Sequence, residues 1–477
     1  MANNNTFVGP VAGSIVSPAA QKMLYGQNYI DFTSSTTAGW AQQYLPELYE
    51  AEVERYGDRS ISGFIKMLGA EMPMASDQVI WSEQGRLHLA YNGTVDCTDG
   101  DITSITDIDG GSGTTHAVRK GATVVAKVTG AGGVAVVKCL VTAGIEASTS
   151  ALTIKPYSAA NLQDISPLAS SDTSVAISFF VYGSEFIKGS ASMTDSVEPN
   201  FKTFTNRPMI IKDHFEIQGS DAAQIGWVEV SGESGQGGYL WYLKSQGDTT
   251  KRFEDYLEMV LVEAEKADST SGVGVEGSEG LLQAIGNRGI VASNQFDSGA
   301  TLSEYDDLLK ELDKQGAIEE NMLFLNRDAN LVFDDLLAGL SAGAQGGTAY
   351  GVFNNSEDMA LNLGFTGFRR GSYDFYKTDW KYLNNKSTRG LVGGLSGLLI
   401  PAGTTSVYDQ QLGKNVKRPF LHVRYRASEA DDRKMKTWIT GSVGGASTIG
   451  DDKMEVHYLS ERCLVVQAAN NFVRFDS

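Results

Sequence analysis

The stretch KRFEDYLEMVLVEAEKA, residues 251–267, decides the fold because it predicts one long helix. Its apolar residues recur with the i, i+3, i+4, i+7 spacing of an amphipathic helix, and the buried spine is predicted to be Phe253, Leu257, Val260 and Leu261. The preceding GYLWYLKSQGDTT continues the pattern through Gly247, which predicts a rod of roughly 30 residues, about 45 Å long. An average globular helix is about a third of that length. So long a strut indicates a structural role.

Composition narrows the classes of function. The 477 residues, 42% of them hydrophobic, allow about two to four packed domains. The formal net charge of −19 disfavours sequence-independent binding of nucleic acid across the surface. Three cysteines do not make a disulfide framework, and free buried thiols suit a reducing cytoplasm. We find neither a secretory signal nor an apolar run of the ~18 residues that cross a membrane, so no membrane association is expected.

Amino-acid composition and apolar pattern change several times along the first half of the chain. Residues 1–75 are predicted to form an extended N-terminal arm followed by short helices. Alternating apolar residues predict an extended loop, a β-ribbon, built from residues 76–93 and 175–200. The Gly-, Thr- and Val-rich residues 94–174 between them predict a small inserted β-domain. Its separate core is predicted to contain Val124, Val136, Leu140 and Ile154. The fold class predicted for the whole chain is α+β.

No sequence motif gives a convincing prediction of catalysis, metal binding or cofactor binding. Gly272, Gly274 and Gly277 satisfy GxGxxG, but no strand precedes them, so a flexible connector is the better interpretation. The five histidines are far apart and lack metal-ligand spacing. The acidic run DGDITSITDIDGG does not follow the order of an EF-hand loop. We therefore predict no catalytic residue, no metal site and no cofactor.

One basic cluster stands out in VKRPFLHVRYRASEADDRKMK, residues 416–436. Its arginines, Arg418, Arg424, Arg426 and Arg433, are interleaved with acidic residues. A nucleic-acid patch is one interpretation. Ion pairing with acidic faces of a neighbouring subunit is the favoured one, and it makes these arginines a candidate intersubunit charge cluster.

Three strings resemble a known family: TNRPMIIKDHFEIQGSDAAQIGWVEV (205–230), GYLWYLKS (238–245) and GLSGLLIPAG (394–403). They resemble the Hong Kong 97-type major capsid proteins of tailed bacteriophages, most of all those of crAss-like phages. The resemblance implies a peripheral domain, residues 201–285 and 454–477, with the long helix as its spine. It also implies an axial α/β domain over residues 286–453 and an extended loop that lies on an adjacent subunit.

The function that this resemblance implies is that of a structural protein without enzymatic activity. Copies would self-assemble into hexamers and pentamers of the icosahedral head shell, enclosing double-stranded DNA without sequence-specific binding. Implied further partners are portal, scaffolding and head decoration proteins. The implied location is the virion, after assembly in the cytoplasm of the bacterial host. Residues 1–40 depart from relatives that carry a helical, charge-rich scaffolding segment. Two alternatives stay open: an encapsulin-type nanocompartment shell, and a β-rich phage surface protein that binds or hydrolyses glycans.

Overall fold

The computed structural model describes residues 71–108, 115–190, 196–198, 201–220, 229–231, 237–267, 272, 274–295, 302–316, 318–343, 366–402, 404–409, 414–442 and 450–476. Apart from its last five residues, the predicted N-terminal arm lies outside the described residues. The chain divides into two compact units. We call Ile80–Thr205 the insert unit, and Met1–Val79 together with Asn206–Ser477 the main unit.

Strands dominate both units. Up to residue 218 they are β1 (Glu71–Met74), β2 (Val79–Gln84), β3 (Ala90–Val95), β4 (Asp101–Asp107), β5 (Ala122–Gly130), β6 (Gly133–Ala143), β7 (Leu152–Pro156), β8 (Val175–Ser184), β9 (Phe201–Asn206) and β10 (Met209–Gln218). The later strands are β11 (Glu229–Ser231), β12 (Gly237–Tyr239), β13 (Ile290–Ser293), β14 (Glu320–Leu325), β15 (Thr366–Arg370), β16 (Tyr373–Asp379), β17 (Gly397–Pro401), β18 (Thr404–Asp409), β19 (Lys414–Pro419), β20 (Leu421–Arg426), β21 (Lys436–Gly441), β22 (Lys453–Val466) and β23 (Val473–Asp476). The helices are α1 (Leu240–Glu263), α2 (Leu281–Arg288), α3 (Leu302–Lys314), α4 (Arg327–Gly343), α5 (Lys381–Asn384) and α6 (Arg389–Val392). The fold is mixed α+β, as predicted.

The insert unit contains a closed β-barrel with strand order β3-β4-β7-β6-β5-β8. The barrel closes where β3 pairs antiparallel with β8, so that Tyr91 lies opposite Phe179 and Val95 opposite Val175. Every other residue of β5 points inward, and Val124, Ala126 and Val128 are fully buried. A closed barrel leaves no open strand edge, so this unit completes its own backbone hydrogen bonding.

The boundaries predicted for the insert differ from the observed pairing. We expected residues 76–93 and 175–200 to form a ribbon and 94–174 to form the domain. Instead β3 and β8 are barrel strands, and the two-stranded ribbon consists of β2 and β9. The alternating pattern is the same in a ribbon and in a barrel wall, and it does not reveal which strand is the partner.

The predicted core of the insert was half wrong. Val124 and Ile154 are buried as expected, but Val136 is 71% exposed and Leu140 is partly exposed. Strand β6 instead buries Val137, Cys139 and Val141. Since β6 carries apolar residues on both faces, the sequence does not fix which set points inward.

A five-stranded sheet forms one part of the main unit. Its strand order is β1-β20-β22-β10, and β21 pairs with the first half of β22. Strand β10 runs antiparallel to β22 over its whole length, from Met209 opposite Arg462 to Gln218 opposite Lys453. Helix α1 packs on this sheet, and its Phe253 ring lies 5.8 Å from the ring of Tyr458.

Helix α1 confirms the long amphipathic helix but is shorter than predicted. It has 24 residues, which corresponds to about 36 Å at 1.5 Å per residue. Gly247 lies inside it, as expected. The helix ends at Glu263, whose carboxylate accepts a 2.6 Å hydrogen bond from the Tyr382 hydroxyl and pairs with Arg389 at 3.0 Å. These contacts fix the C-terminal end of the helix.

A six-stranded mixed sheet forms the other part of the main unit, in the order β13-β23-β17-β14-β16-β15. The β13–β23 and β14–β16 pairs are parallel. Aromatic rings fill the core beside this sheet: Tyr305 of α3 and Phe333 of α4 lie against Phe368 and Phe375. A further apolar cluster joins Leu261 of α1 and Ile285 of α2 to Leu398 and Leu464, which lie on strands of the two different sheets.

The sheets do not follow the domain boundaries that the resemblance implied. Strands β20 and β21, expected in the axial domain, pair with β22 of the five-stranded sheet. Strand β23, expected in the peripheral domain, lies in the six-stranded sheet. The predicted boundaries follow the order of the sequence. They assign these three strands to the wrong domain because each sheet contains strands from distant parts of the sequence.

Candidate assembly surfaces

The predicted spine residues lie on the face of α1 that packs against the rest of the main unit. Phe253, Leu257 and Leu261 are buried, and Val260 packs partly buried against the same cluster. Their neighbours include Ile211 of β10 with Val456 and Tyr458 of β22. This face of the helix is therefore occupied within the chain and is not available to another subunit.

The basic cluster is divided between several strands. Arg418 lies on β19, Arg424 and Arg426 lie on β20, and Arg433 precedes β21. The cluster predicted to serve a neighbouring subunit has partners within its own chain: Glu461 Oε1 lies 3.1 Å from Arg426 Nη1, and Glu461 Oε2 lies 2.7 Å from Arg433 Nε. Arg426 also pairs with Asp77. Its hydrogen bonds to Asp77 and Glu461 raise the pKa of Arg426.

Glu461 explains why Arg426 and Arg433 lie close together in the folded chain. It is 5% exposed, and a buried carboxylate needs cations or hydrogen-bond donors to remain charged. Sequence reasoning missed Glu461 because it lies on β22, which is far away in sequence and next to β20 only in the sheet. The intersubunit role of the four arginines stays a prediction.

The ribbon of β2 and β9 presents apolar side chains to solvent. Its inner side pairs Trp81 with Phe204, with ring centroids 6.0 Å apart, and Trp81 Nε1 donates to Glu83 Oε1 at 3.0 Å. On the other side Ile80 is 63% and Phe201 64% exposed. Within the described part of the chain, neither strand pairs with a third. Among the described residues, no strand covers this face of the ribbon.

The barrel wall exposes aromatic side chains that sequence reasoning did not single out. Phe180 and Tyr182 project outward from β8, alternating with the inward Phe179 and the partly buried Val181. Tyr157, which follows β7, donates a 2.6 Å hydrogen bond to Glu185 Oε2. This hydrogen bond raises the pKa of Tyr157 to about 12. The period-2 alternation of β8 was the signal that could have revealed the outward pair.

Groups suited to metal or cofactor chemistry do not converge in the described parts of the chain. No cluster of three or more His, Cys, Asp and Glu side chains able to hold a metal occurs there. Gly277, in the predicted connector, forms an isolated antiparallel bridge with Lys266. The histidines serve local structure: His116 Nε2 lies 3.0 Å from the Ala151 carbonyl, and His457 Nε2 lies 2.8 Å from Thr440 Oγ1. A cavity of about 260 Å³ lies beside Val118 and Val181 of the barrel.

None of the helices in the described ranges combines the length and the apolar character that a membrane span requires.

Comparisons with known proteins give distant structural similarity only. No model of a protein family matches the sequence, and no curated protein matches it. The fold is similar to a chain of a solved structure named for Microbacterium phage Oxtober96, with 8% identity and a TM-score of 0.39, covering 93% of this chain and 99% of that one. It is similar to a chain of "Capsid of native GTA particle computed with C5 symmetry", with 9% identity and a TM-score of 0.38, covering 91% and 95%.

A third solved structure, "Capsid structure of the Cyanophage P-SCSP1u", matches 62% of this chain and 80% of its own, with 8% identity and a TM-score of 0.32. Two of these three titles name a phage, and two name a capsid. Because all three TM-scores lie below 0.5, the function is argued below from this chain's own contacts. The narrower resemblance to crAss-like phages stays a prediction.

Proposed function

We propose that this chain is the structural subunit of an icosahedral shell, the major capsid protein of a tailed bacteriophage with a Hong Kong 97-type fold. Copies assemble into hexamers and pentamers and enclose double-stranded DNA. The protein acts without a cofactor, in the virion, after assembly in the host cytoplasm. Portal, scaffolding and decoration proteins are its proposed further partners.

The observation that carries this proposal is the uncovered ribbon. An isolated two-stranded ribbon is marginally stable in water, and it needs a third strand or an apolar face to pack against. Among the described residues nothing covers Ile80 of β2 and Phe201 of β9, so burying them against another molecule would be energetically favourable. A neighbouring copy that receives the ribbon would supply such a surface in every subunit of a closed shell.

Three further features support the same function. Helix α1 and the five-stranded sheet form a stiff layer, which we propose as the peripheral domain. The six-stranded sheet with α3 and α4 is proposed as the axial domain near the centre of each capsomer. The net charge of −19 weakens attraction between the shell wall and DNA, which a container for a genome requires.

The test examines assembly of the purified full chain by negative-stain electron microscopy. We expect closed icosahedral particles or capsomers from the unmodified chain. Ile80→Asp with Phe201→Asp should leave thermal stability unchanged but abolish closed particles. A matched control, Leu391→Asp with Val392→Asp, alters two side chains of α6 that are each 75% exposed. This control should assemble normally.

The outcomes separate the alternatives. Small compartments without DNA from phage-infected cells would favour an encapsulin-type shell. Discrete soluble oligomers without any shell would contradict the proposal and favour a surface protein. Normal shells from the ribbon variant would show that the ribbon is not the contact on which assembly depends.

A further inference from the structure

Opposite charges are segregated on the outside of the barrel. Three exposed lysines lie on adjacent strands: Lys127 on β5, Lys138 on β6 and Lys155 on β7. We call them, with the aromatic residues beside them, the basic pole. Exposed aspartates gather elsewhere, with Asp99 in the turn after β3 and Asp101 and Asp107 at the two ends of β4. We call these three the acidic pole.

The strand order puts most of the two poles on opposite sides of the barrel. In the closed order β3-β4-β7-β6-β5-β8, β4 is three strands from β5 in either direction, and β3 is three strands from β6. Lys127 therefore lies on the strand opposite the one that carries Asp101 and Asp107, and Lys138 lies two strands from it. Lys155 lies beside the acidic pole and not opposite it, because β7 pairs with β4 and the Ile154 N–H donates to the carbonyl of Gly100, between Asp99 and Asp101.

Within the described residues, the charges at the poles are not neutralised by ion pairs. None of the six side chains forms an ion pair with any residue that the structure describes. The polar contacts recorded for two of the aspartates are neutral: Asp101 Oδ1 accepts a 2.7 Å hydrogen bond from Thr153 Oγ1, and Asp107 Oδ1 accepts one of 2.7 Å from the Ile108 N–H. By contrast, the main unit pairs its charges repeatedly, as in the two-pronged contact of Arg370 with Asp306 at 2.5 and 2.7 Å.

Apolar surface accompanies the basic pole. Lys138 lies opposite Val125, which lies opposite the exposed Phe180 in the next strand. Val136 lies opposite Lys127 and is 71% exposed. Tyr157 and Tyr182, each about half exposed, extend this surface, and Glu185 is held at its edge by the Tyr157 hydroxyl. Aromatic side chains beside cations are typical of contact surfaces rather than of surfaces that stay in water.

We infer that the basic pole of one subunit's barrel docks on the acidic pole of the barrel in a second copy of this chain. The two poles carry matching numbers of unpaired charges, so each copy supplies the complement of its neighbour. Because the two surfaces differ, the contact is head-to-tail and can be repeated around a ring. The inference rests on the proposed function to the extent that a shell brings neighbouring barrels together.

Nucleic acid is the less suitable occupant of the basic pole. Three lysines neutralise few phosphates, and the rest of a chain with net charge −19 repels a polyanion. The acidic pole, in contrast, is present at the same concentration as the basic pole in any assembly of this chain. Since the contact is between exposed charges, its strength should fall as ionic strength rises.

The experiment reverses each pole in the full-length chain and measures self-association by analytical ultracentrifugation at low and high salt. One variant carries Lys127→Glu and Lys138→Glu, and the other carries Asp99→Lys and Asp107→Lys. A charge-matched control carries Lys310→Glu and Lys314→Glu on α3, where both lysines are exposed. Asp101 is left intact because of its hydrogen bond to Thr153.

We expect each reversed variant alone to associate at least about tenfold more weakly than the unmodified chain at low salt. An equal mixture of the two variants, and a chain carrying all four changes, should recover association to within about threefold, because opposite poles face each other again. The control should associate like the unmodified chain. Zero-length carbodiimide cross-linking should join Lys127 or Lys138 to Asp99 or Asp107 between isotopically distinct copies.

Several results would overturn the inference. If only the lysine reversal weakens association, the acidic partner is another surface. If neither reversal matters, or if the mixture fails to recover association, the barrels do not dock in this way. Failure of the unmodified chain to form shells counts against the proposed function alone, since association in solution reports on the poles separately.

Discussion

At the scale of single residues, Asn206 is the most densely bonded polar side chain of the main unit. It is 1% exposed, and its Nδ2 donates to the carbonyls of Leu464 at 2.6 Å and Glu279 at 3.0 Å. Its Oδ1 accepts from the Glu279 N–H at 2.9 Å and from the Ser278 hydroxyl at 3.2 Å. The side chain of Asn206 thereby connects its own backbone segment to β22 and to the segment before α2.

Replacing this residue tests the value of the network. Asn206→Ala should destabilise the main unit by about 2–3 kcal/mol, because buried donors and acceptors lose their partners. The denaturant midpoint of the main unit's unfolding transition measures the change. As a control, Asn385→Ala removes an exposed asparagine whose side chain bonds only to nearby Ser387, and it should cost less than about 1 kcal/mol. Equal losses from both variants would contradict the role assigned to Asn206.

The three thiols give a pH prediction. Burial raises the pKa of Cys97 to about 11, and those of Cys139 and Cys463 to about 12, from an ordinary value of 9.0. A folded-state pKa above the unfolded value means that this contribution to stability is complete below pH 9. It is lost as the pH rises from 9 through about 11 to 12. Ultraviolet thiolate absorbance should show no titration near pH 9 in the native chain. A thiol that titrates there would be exposed.

At the scale of elements, α1 stabilises the main unit through its buried face. Leu257→Ala should cost about 2–5 kcal/mol, the usual cost of deleting a large buried aliphatic side chain. Leu331→Ala on α4 is a matched control because Leu331 is 54% exposed, and it should cost less than about 1 kcal/mol. Chemical denaturation of both variants gives the comparison. If Leu257→Ala cost no more than its control, α1 would not be packed through this face.

Some of the helices and strands could be predicted from the sequence. Period 3.6 in residues 251–267 located α1 and named its buried side chains, because amphipathic spacing is a local property. Its length was overestimated, because the residues after Glu263 leave the helix and bond to the segment before α2. Lys266 forms a bridge with Gly277 there, and the Ala267 N–H donates to the Glu276 carbonyl. The register of β6 was misread because its sequence is apolar on both faces.

What the sequence did not reveal is pairing between distant strands. Arg426 and Arg433 were expected to meet a neighbouring subunit, but Glu461 on β22 lies beside them once β20 and β22 pair. The poles of the barrel depend in the same way on its closed strand order. Spacing along the chain predicts which residues share a face of one strand, and it does not predict which strand comes next in the sheet.

At the scale of the whole molecule, the insert should be removable at the boundaries that the structure gives. Replacing residues 85–200 by a short Gly/Ser turn keeps β2 joined to β9. This variant should preserve the thermal transition of the main unit, because the barrel has a core of its own. Replacing only residues 94–174 should instead yield aggregated protein, because β3 and β8 lose the barrel strands that cover them. Differential scanning calorimetry and sedimentation compare the two variants. If the shorter excision were the better behaved, the barrel boundaries would be wrong.

Strands β22 and β23 follow in sequence all the strands that they pair with, and this has a consequence for synthesis on the ribosome. The barrel has all its strands once Ser184 has emerged, whereas β10 waits for β22, and β13 waits for β23. Nascent chains arrested before Lys453 should therefore contain a protease-resistant barrel and an accessible main unit. Resistance of both units in such chains would refute this order. A delay of this kind keeps incomplete chains from joining an assembly, because neither main sheet is complete until β22 and β23 have been made.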